Sequence, residues 1–346
     1  MSTIKVAATA LPDVKLDQDQ VLAMGRRLLK GKVPFVDQAL RVIGNAGVDT
    51  RYLVKTPDEI LDNPSLTWRN GVYHEAAIDL GTRVMDELLQ RSGKRADQID
   101  MIITTSCTGF MIPSVDAYLV NRFRMRSDVK RLPITELGCA AGAMALSRAR
   151  EYLCAYPDHT VAVIAIELPS LTYRTKDFRM ANLVSAALFG DGAAGLLLTN
   201  EPGGCRVNQS RTHFFHGTPE LMGFDLGVEG FKIILDKSIP KVVKRDFVAP
   251  AKAFLAAQPR RYPEQPMQYV LHPGGRKILD TLRDEFGLQE SDVAASRQVL
   301  ARVGNLSSAS VYWVLAEKLA QAVRGDGFMA AFGPGFNAEM LSLAFE

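Results

Sequence analysis

Cysteine is scarce in this chain, and so are long apolar runs and any excess of one charge. Four cysteines occur among 346 residues, without the spacing of a zinc site or the density of a disulfide framework. A formal charge of +3 gives little attraction for nucleic acid. No apolar run approaches the roughly 18 residues of a membrane-spanning helix, and the apolar run before Asp13 is too short for a secretory signal. We expect a reduced, cytoplasmic protein that binds neither nucleic acid nor membrane.

The composition is that of an ordinary globular protein, with 47% hydrophobic and 23% charged residues. Apolar residues spaced three and four apart predict helices in the N-terminal third, at residues 20–29, 35–46 and 70–90. Farther along, short apolar runs alternate with helical patterns, which is typical of an α/β fold. The strands predicted by these runs lie at residues 99–105, 159–166, 193–199, 268–271, 327–332 and 340–345.

The two halves of the chain repeat one pattern, in which a strand ends in a loop and a later helix begins among small residues. Ser106 precedes Cys139 by 33 residues, and His272 precedes Asn305 by the same 33. One register aligns both pairs, so we interpret the pattern as an internal duplication. In open α/β sheets, functional groups gather where strands end and helices begin.

Cys139 lies at such a helix start, in the stretch LGCAAGA at residues 137–143. The positive end of the helix dipole and its unpaired N–H groups favour a thiolate there, and the small residues leave space above the sulfur. His272, followed by a proline and two glycines, would form an activated thiol–imidazole pair with it. Asn305 adds an amide N–H that would share with His272 the stabilisation of an oxyanion or enolate.

Each of these residues also has a less specific interpretation. A single cysteine at a small-residue helix start is most often a packing residue, and an asparagine after a glycine is commonly a helix N-cap. Cys154 and Cys205 fit a helix interior and a loop, whereas Cys107 fits a cavity wall. The stretch GDGAAG at 190–195 spells a dinucleotide-binding motif, but the LLLT after it predicts a strand where that motif requires a helix.

Five motifs occur in one order along the chain: LGCAAGA, FGDGAAG, HPGGRKILD, GNLSSAS and FGPGF. In this order they resemble those of the type III polyketide synthases, the chalcone-synthase-like family, and the resemblance covers essentially the whole chain. The run SCTGFMIPS at 106–114 is similar to bacterial members of that family rather than to plant members.

The resemblance implies a thiolase-like α/β fold with five layers, αβαβα, built from two duplicated halves. Residues 1–205 would form the half that carries the nucleophilic cysteine, and residues 206–346 the half that carries the catalytic histidine and asparagine. The resemblance also implies a homodimer whose substrates are an acyl-CoA starter and malonyl-CoA. It implies no metal or redox cofactor, because CoA thioesters bring their own chemistry.

Matched to the family's motifs, Cys139 would carry the starter and the growing chain as a thioester. His272 and Asn305 would stabilise the enolate that forms when malonyl-CoA loses carbon dioxide, and the oxyanion of each condensation. Cyclisation would then give a pyrone, a resorcinol, a phloroglucinol or a naphthalene-type product.

Further positions match the family's gates and cavity. Phe189 matches the gatekeeper phenylalanine between the CoA tunnel and the cavity, and Ile233 stands at the second gate, where plant members have an aromatic residue. Phe224 replaces a plant glycine, so the pocket should be narrower on that side. Other cavity positions are Thr172 and Ser307, beside the Cys107 wall.

The residues that would hold the CoA phosphates match the family less well. Of three basic residues that meet these phosphates in plant relatives, only Arg41 is kept, and the other two positions hold Gln38 and Asn45. Candidate substitutes are Lys30, Lys32 and Arg276.

Two other functions stay open. A β-ketoacyl-ACP synthase III would share the fold and the three catalytic residues but perform one condensation onto an acyl carrier protein, and the HPGG and FGPG loops argue against it. A non-catalytic scaffold of the same fold would bind a partner or ligand with a degenerate site, and the intact Cys-His-Asn set argues against that.

Overall fold

The fold is given by a computed structural model that describes residues 2–228, 230–262 and 264–346. Its strands are β1 (Ser2–Ala10), β2 (Val14–Asp17), β3 (Thr50–Leu53), β4 (Met101–Thr105), β5 (Lys130–Ile134), β6 (Val161–Glu167), β7 (Gly192–Thr199), β8 (Cys205–Phe214), β9 (Met222–Gly227), β10 (Gly230–Leu235), β11 (Gln268–Leu271), β12 (Gly325–Gly333) and β13 (Asn337–Phe345). Its α-helices are α1 (Gln18–Leu29), α2 (Val36–Gly44), α3 (Pro57–Asp62), α4 (Leu66–Ser92), α5 (Val115–Arg122), α6 (Ala141–Ala155), α7 (Met180–Leu188), α8 (Ile239–Val242), α9 (Val248–Ala256), α10 (Arg276–Phe286), α11 (Glu290–Val303) and α12 (Ser310–Ala320).

Strands from both halves of the chain share one mixed sheet. Within the described residues its order is β11-β12-β13-β8-β1-β7-β6-β4-β5, and the two halves join where the start of β1 pairs with the start of β8. The order β4-β6-β7-β1 of the first half matches β11-β12-β13-β8 of the second. In both series the first pair is parallel and the next two are antiparallel. This repeat confirms the predicted duplication.

Alternating side chains along the strands place helices on both faces of each half-sheet. In β6, Val163 packs into the middle of the molecule, whereas Ile164 packs outward against α4 and α5. In β12, Met329 packs into the same middle layer, whereas Phe328 packs outward against α9 and α10. Helices α6 and α12 fill the middle layer between the two half-sheets. The five layers confirm the αβαβα fold expected from the sequence.

Several strands were not predicted from the sequence. Residues 2–10 form β1, which pairs with β7 and β8 in the middle of the sheet. Cys205 is buried at the start of β8, where a loop was predicted; that prediction was wrong. Strands β5 and β8 contain many polar residues, so a search for apolar runs misses them. Cys154 lies in helix α6 as predicted, although its side chain is exposed.

Among the described residues, no helix is both long enough and apolar enough to cross a bilayer.

The boundary between the two halves of the chain, at residues 205 and 206, stays a prediction.

Helix α6 touches the turn of 3-10 helix before α12 at the level of the backbone. A Cβ atom at Gly142 would lie 2.2 Å from the carbonyl oxygen of Ser308, and the Tyr312 hydroxyl donates to the Gly142 carbonyl at 2.7 Å. No side chain fits between these segments. The close packing expected after Cys139 is therefore present, and it is what brings the two duplicated helix starts together.

We expect Gly142→Ala to lower the free energy of unfolding by about 1–3 kcal/mol or more, because the added methyl group must displace backbone rather than a flexible side chain. Gly71→Ala is the matched control. Gly71 is an exposed helical glycine, and a Cβ atom added there would meet nothing within 4 Å, so alanine should stabilise the chain by about 0.5–1 kcal/mol. Denaturant unfolding of both variants gives the comparison. Equal stability of the two would contradict the proposed contact.

Candidate active site

Cys139 lies in a turn of 3-10 helix, Gly138–Ala140, that leads directly into α6. Its side chain is 8% exposed, and its sulfur lies 3.5 Å from the Ser307 hydroxyl oxygen. A Cβ atom at Gly333 would come within 2.6 Å of Ala140, so the turn rests against the end of β12. The helix start predicted at Cys139 is therefore correct, with one extra turn before the α-helix.

The Asn305 side chain takes part in hydrogen bonds both to the turn that follows it and to Cys139. Its Oδ1 accepts hydrogen bonds from the Ser307 backbone N–H at 2.8 Å and the Ser310 hydroxyl at 3.2 Å, which is a capping arrangement. Hydrogen bonding between Asn305 and Cys139 in turn acts to lower the pKa of the thiol. The oxygen thus organises the turn, and the amide nitrogen is left as a donor. Asn305 therefore caps this turn through its side-chain oxygen, and its role as an N–H donor in catalysis stays a prediction.

Phe189 is joined to Asn305 through the backbone. The Asn305 N–H donates to the Leu188 carbonyl at 2.8 Å, and the Gly190 N–H donates to the Asn305 carbonyl at 3.1 Å. A Cβ atom at Gly190 would lie 2.4 Å from the Val303 carbonyl oxygen. The glycines of GDGAAG therefore serve close backbone packing, and strand β7 begins within the motif at Gly192, which confirms that it is not a dinucleotide motif.

His272 follows β11 directly and is 3% exposed. Its backbone N–H donates to the Ala330 carbonyl of β12 at 2.9 Å. This bond ties it to the strand whose end, at Gly333, packs against the Cys139 turn. A Cβ atom at Gly274 would lie 3.3 Å from the His272 Nε2, so the glycine leaves room beside the imidazole. Within the described residues, Nδ1 has no hydrogen-bond partner.

Burial is the main influence on the pKa values of Cys139 and His272. It raises the pKa of the Cys139 thiol to about 12, although hydrogen bonds to Ser307 and Asn305 act in the opposite direction. It also lowers the pKa of His272 to about 3. Taken singly, the two groups are an uncharged thiol and an uncharged imidazole at neutral pH. The helix start alone therefore does not make Cys139 a thiolate, contrary to the expectation from the sequence.

The transfer of a proton from Cys139 to His272 stays a prediction; it would change this balance, because it would create two opposite charges at once. In a buried site of low dielectric, each charge stabilises the other. The ionisation then belongs to the pair rather than to either residue. The imidazole is what would make the thiol a nucleophile.

Ser307 lies between two thiols. Its hydroxyl oxygen is 3.5 Å from the Cys139 sulfur and 3.7 Å from the Cys107 sulfur. Its φ of +47° falls in the left-handed region, which non-glycine residues rarely adopt and which is common at functional sites. Cys107 and Ser307, two predicted cavity residues, thus lie beside the predicted nucleophile.

Glu167 is a residue of this site that the sequence analysis missed. It ends β6, is fully buried, and accepts hydrogen bonds from the Ser308 hydroxyl at 2.5 Å, the Thr108 hydroxyl at 3.0 Å and the Cys107 N–H at 3.1 Å. The Cys107 sulfur lies 3.6 Å from the same carboxylate. Burial raises the pKa of Glu167 and of Cys107. The available signal was an acidic residue closing an otherwise apolar strand.

The other predicted cavity residues lie on neighbouring elements. Thr172 is buried at the end of the turn Pro169–Thr172, which packs on β10. Phe224 and Ile233 face each other directly across the β9–β10 hairpin, and Ile233 is the more buried of the two. Their roles as cavity walls and gate stay predictions.

Arg41 is exposed on α2, which packs against α7, the helix that ends at Phe189. Beside α2 lies an open pocket of about 690 Å³ that includes Gln38. Lys32 lies 5.7 Å above the ring of Phe178, which also lines this pocket. The remaining lining residues are Val33, Phe35, Lys176, Asp177, Arg179 and Met180.

Two family models match the chain. One, described as FAE1/type III polyketide synthase-like protein, matches residues 9–215. The other, chalcone and stilbene synthases, C-terminal domain, matches residues 206–344. Together they span nearly all of the sequence.

Individual relatives agree with these models. A 1,3,6,8-tetrahydroxynaphthalene synthase from Streptomyces peucetius subsp. caesius is 36% identical, over 99% of this chain and 93% of the relative. A phloroglucinol synthase from Pseudomonas fluorescens is 33% identical, over 98% of each chain. The solved structure of 1,3,6,8-tetrahydroxynaphthalene synthase from Streptomyces coelicolor A3(2) matches with a TM-score of 0.94 at 32% identity, over 99% of each chain.

We expect iodoacetamide to alkylate Cys139 at pH 7 at least about tenfold faster in the wild-type protein than in His272→Ala, because the imidazole is the base that we expect to take the thiol proton. The exposed Cys154 is first changed to serine in both proteins, and a Cys139→Ala protein gives the background. Mass spectrometry of the Cys139 peptide measures the rate. Equal rates in the two proteins would show that His272 does not activate the thiol.

Proposed function

Since the chain belongs to the type III polyketide synthase family, we propose that it extends an acyl-CoA starter with units from malonyl-CoA, using Cys139, His272 and Asn305. The observation that carries the proposal is the buried Cys139 thiol in contact with the Asn305 and Ser307 side chains, at the junction of the two duplicated halves. The enzyme is an acyltransferase.

Loading begins when His272 takes the Cys139 proton. The thiolate attacks the carbonyl carbon of the starter thioester, the bond to the CoA sulfur breaks, and the leaving CoA thiolate takes the proton back from the imidazolium. The starter is then a thioester on Cys139, and His272 is neutral again. The burial that lowers the pKa of His272 to about 3 favours this neutral state.

Extension begins when malonyl-CoA binds beside the acylated cysteine. The carbon–carbon bond to its carboxylate breaks, carbon dioxide leaves, and the electron pair becomes an enolate on the thioester oxygen. The Asn305 amide and the imidazole N–H of His272 would donate hydrogen bonds to that oxygen. A neutral imidazole donates without readily protonating the enolate carbon. That carbon then attacks the acyl thioester and releases the Cys139 thiolate.

Repeated loading and extension lengthen the chain before it cyclises. The relatives named for tetrahydroxynaphthalene and phloroglucinol support an aromatic product for this enzyme. CoA thioesters supply both the leaving group and the activated carbon, so we propose that the reaction uses no metal or redox cofactor. The same substrates favour the cytoplasm as the place of reaction.

The nucleotide end of CoA would lie beside α2. Arg41 projects from this helix, and the pocket that includes Gln38 gains positive charge from Lys176. Of the candidate substitutes for the missing basic residues, Lys32 lies beside this pocket, whereas Arg276 lies near Gly47, in the segment after α2. We favour Lys32 as the phosphate contact.

We also propose that the enzyme is a homodimer. Large apolar side chains are exposed on the loop at residues 106–114, here called the active-site loop, with Ile112 fully exposed and Phe110 49% exposed. At the tip of the neighbouring hairpin, Leu226 is 56% and Val228 97% exposed. A contiguous apolar surface of this kind favours a protein–protein interface, and a second copy of the chain is the occupant that the family supports.

Single condensation onto an acyl carrier protein is the main alternative. Assays with malonyl-CoA and malonyl-carrier protein separate the two functions. Products longer than one extension from malonyl-CoA alone support the polyketide synthase. One extension that occurs only with carrier protein would contradict it.

We expect Cys139→Ala to abolish chain extension and to retain malonyl-CoA decarboxylation, because only extension needs the thioester on the cysteine. Release of labelled carbon dioxide and product mass are measured on the same samples. Cys154→Ala, which removes an exposed thiol, is the control and should behave as wild type. Normal product yield from Cys139→Ala would exclude this cysteine as the nucleophile.

We expect Asn305→Asp to lower decarboxylation by roughly 10²–10³-fold at nearly unchanged stability, because it keeps the capping oxygen and loses the N–H donor. Ser310→Ala is the reciprocal control. It removes one partner of the Asn305 oxygen, so it should lower the melting temperature and leave decarboxylation close to wild type. An Asn305→Asp protein that decarboxylates normally would show that Asn305 is only a cap.

A further inference from the structure

The β9–β10 hairpin has one apolar face and one polar face, and it lies outside the main sheet. Pairing in register places Phe224 opposite Ile233 and Leu226 opposite Phe231, and these four side chains share one face because side chains alternate along a strand. On the other face, Lys232 lies 3.9 Å from Asp225. A two-stranded hairpin is marginally stable by itself. Its position therefore depends on what its apolar face contacts.

Phe110 contacts that face, and helix α7 and the turn Pro169–Thr172 also pack on β10. The Phe110 ring stacks on Phe231 with centroids 5.3 Å apart and an interplanar angle of 23°. Phe231 in turn meets the edge of Phe224, with centroids 5.3 Å apart at 68°. The three rings form a continuous row from the active-site loop to Phe224. Stacked and edge-to-face arrangements are the two that aromatic pairs prefer.

The loop that carries Phe110 is itself fixed by helix α4. The Asn70 side chain donates to the Phe110 carbonyl at 2.9 Å and accepts from its N–H at 2.7 Å. One turn later, the Tyr73 hydroxyl donates to Ser106 at 2.8 Å. A Cβ atom at Gly109 would fall 2.1 Å from the Tyr73 ring, so the ring lies directly on the loop backbone.

The other end of this loop reaches the catalytic centre. Cys107 lies three residues before Phe110, and its sulfur is 3.7 Å from the hydroxyl of Ser307. The row of rings therefore connects a loop held beside the nucleophile to the hairpin that carries Phe224 and Ile233. A second anchor of the hairpin is the Arg179 guanidinium, which donates to the Ile233 carbonyl at 3.4 Å.

We propose that Phe110 and Phe231 are positioning residues that hold Phe224 and Ile233 against the active-site loop, and so limit the length of acyl chain that the site accepts. Neither ring needs to touch the substrate. The proposal rests on the proposed function, since it concerns the starters and products of that reaction. It predicts that the wild-type enzyme prefers short acyl starters.

The test uses the full-length enzyme with malonyl-CoA and saturated acyl-CoA starters of increasing length. The ratio of kcat/KM for a long starter to that for a short one is measured, together with product masses. We expect Phe110→Ala and Phe231→Ala each to raise this ratio by about tenfold. The double variant should add little more, because both changes break the same stack.

Matched variants separate positioning from general damage. Phe110→Tyr keeps the stack and should keep the wild-type ratio. Lys232→Ala changes the polar face of the same strand and should also keep it. Phe110→Leu retains apolar contact without ring stacking, so it tests the proposal if the alanine variants fold poorly. Malonyl-CoA decarboxylation should stay unchanged in all of them, because their substitutions lie outside the Cys139, His272 and Asn305 set.

A wild-type ratio and wild-type product masses in Phe110→Leu and Phe231→Ala, with normal decarboxylation, would overturn the proposal. An equal fall in kcat/KM for every starter would overturn it too, since that is the result of a merely structural role. Both outcomes leave the proposed function intact. A wild-type enzyme that extends no acyl-CoA would instead reject the proposed function.

Discussion

The contact on which the active site depends is the approach of α6 to the turn before α12. At Gly142 and Ser308 the two duplicated helix starts meet through backbone atoms, with no room for a side chain. A second close approach, between Gly190 and Val303, holds Phe189 beside Asn305. Because these contacts are glycine-to-backbone, the distances between Cys139, Ser307 and Asn305 are set by main-chain geometry rather than by flexible side chains.

Such close packing also shields Cys139 and His272 from water, which makes each of them harder to charge. Burial favours the uncharged forms of both Cys139 and His272, so the site does not hold a separate thiolate. In the proposed reaction, charge appears when a proton moves between the two, and again when an enolate forms beside Asn305. A dry site makes each of these hydrogen bonds and ion pairs stronger than it would be in water. The burial that makes it costly to charge Cys139 or His272 alone thus also strengthens the interactions that would stabilise the charged species of the proposed reaction.

The sequence predicted the fold, and it predicted that Cys139, His272 and Asn305 lie at strand ends and helix starts, because both features are encoded locally. The matched spacing from Ser106 to Cys139 and from His272 to Asn305 reflects two copies of one α/β unit, and buried strands of the central sheet are plain apolar runs. Strands β1, β5 and β8 were missed, since each of them mixes polar with apolar residues and none is a plain apolar run. Glu167 was missed because its contacts join residues 108 and 308, far from it in sequence. The pKa of Cys139 could not be predicted either, because the burial that raises it arises from the tertiary structure.

The most direct measurement is to find where the acyl group is attached during turnover. Two thiols, Cys139 and Cys107, lie close to Ser307, so Cys107 serves as an internal control for acylation of Cys139. After brief incubation with an acyl-CoA starter, acid quenching and peptide mass analysis locate the thioester. We expect one acyl group on the Cys139 peptide, and we expect it to be lost when malonyl-CoA is added. An acyl group found on Cys107 instead, or one that malonyl-CoA does not remove, would contradict this expectation.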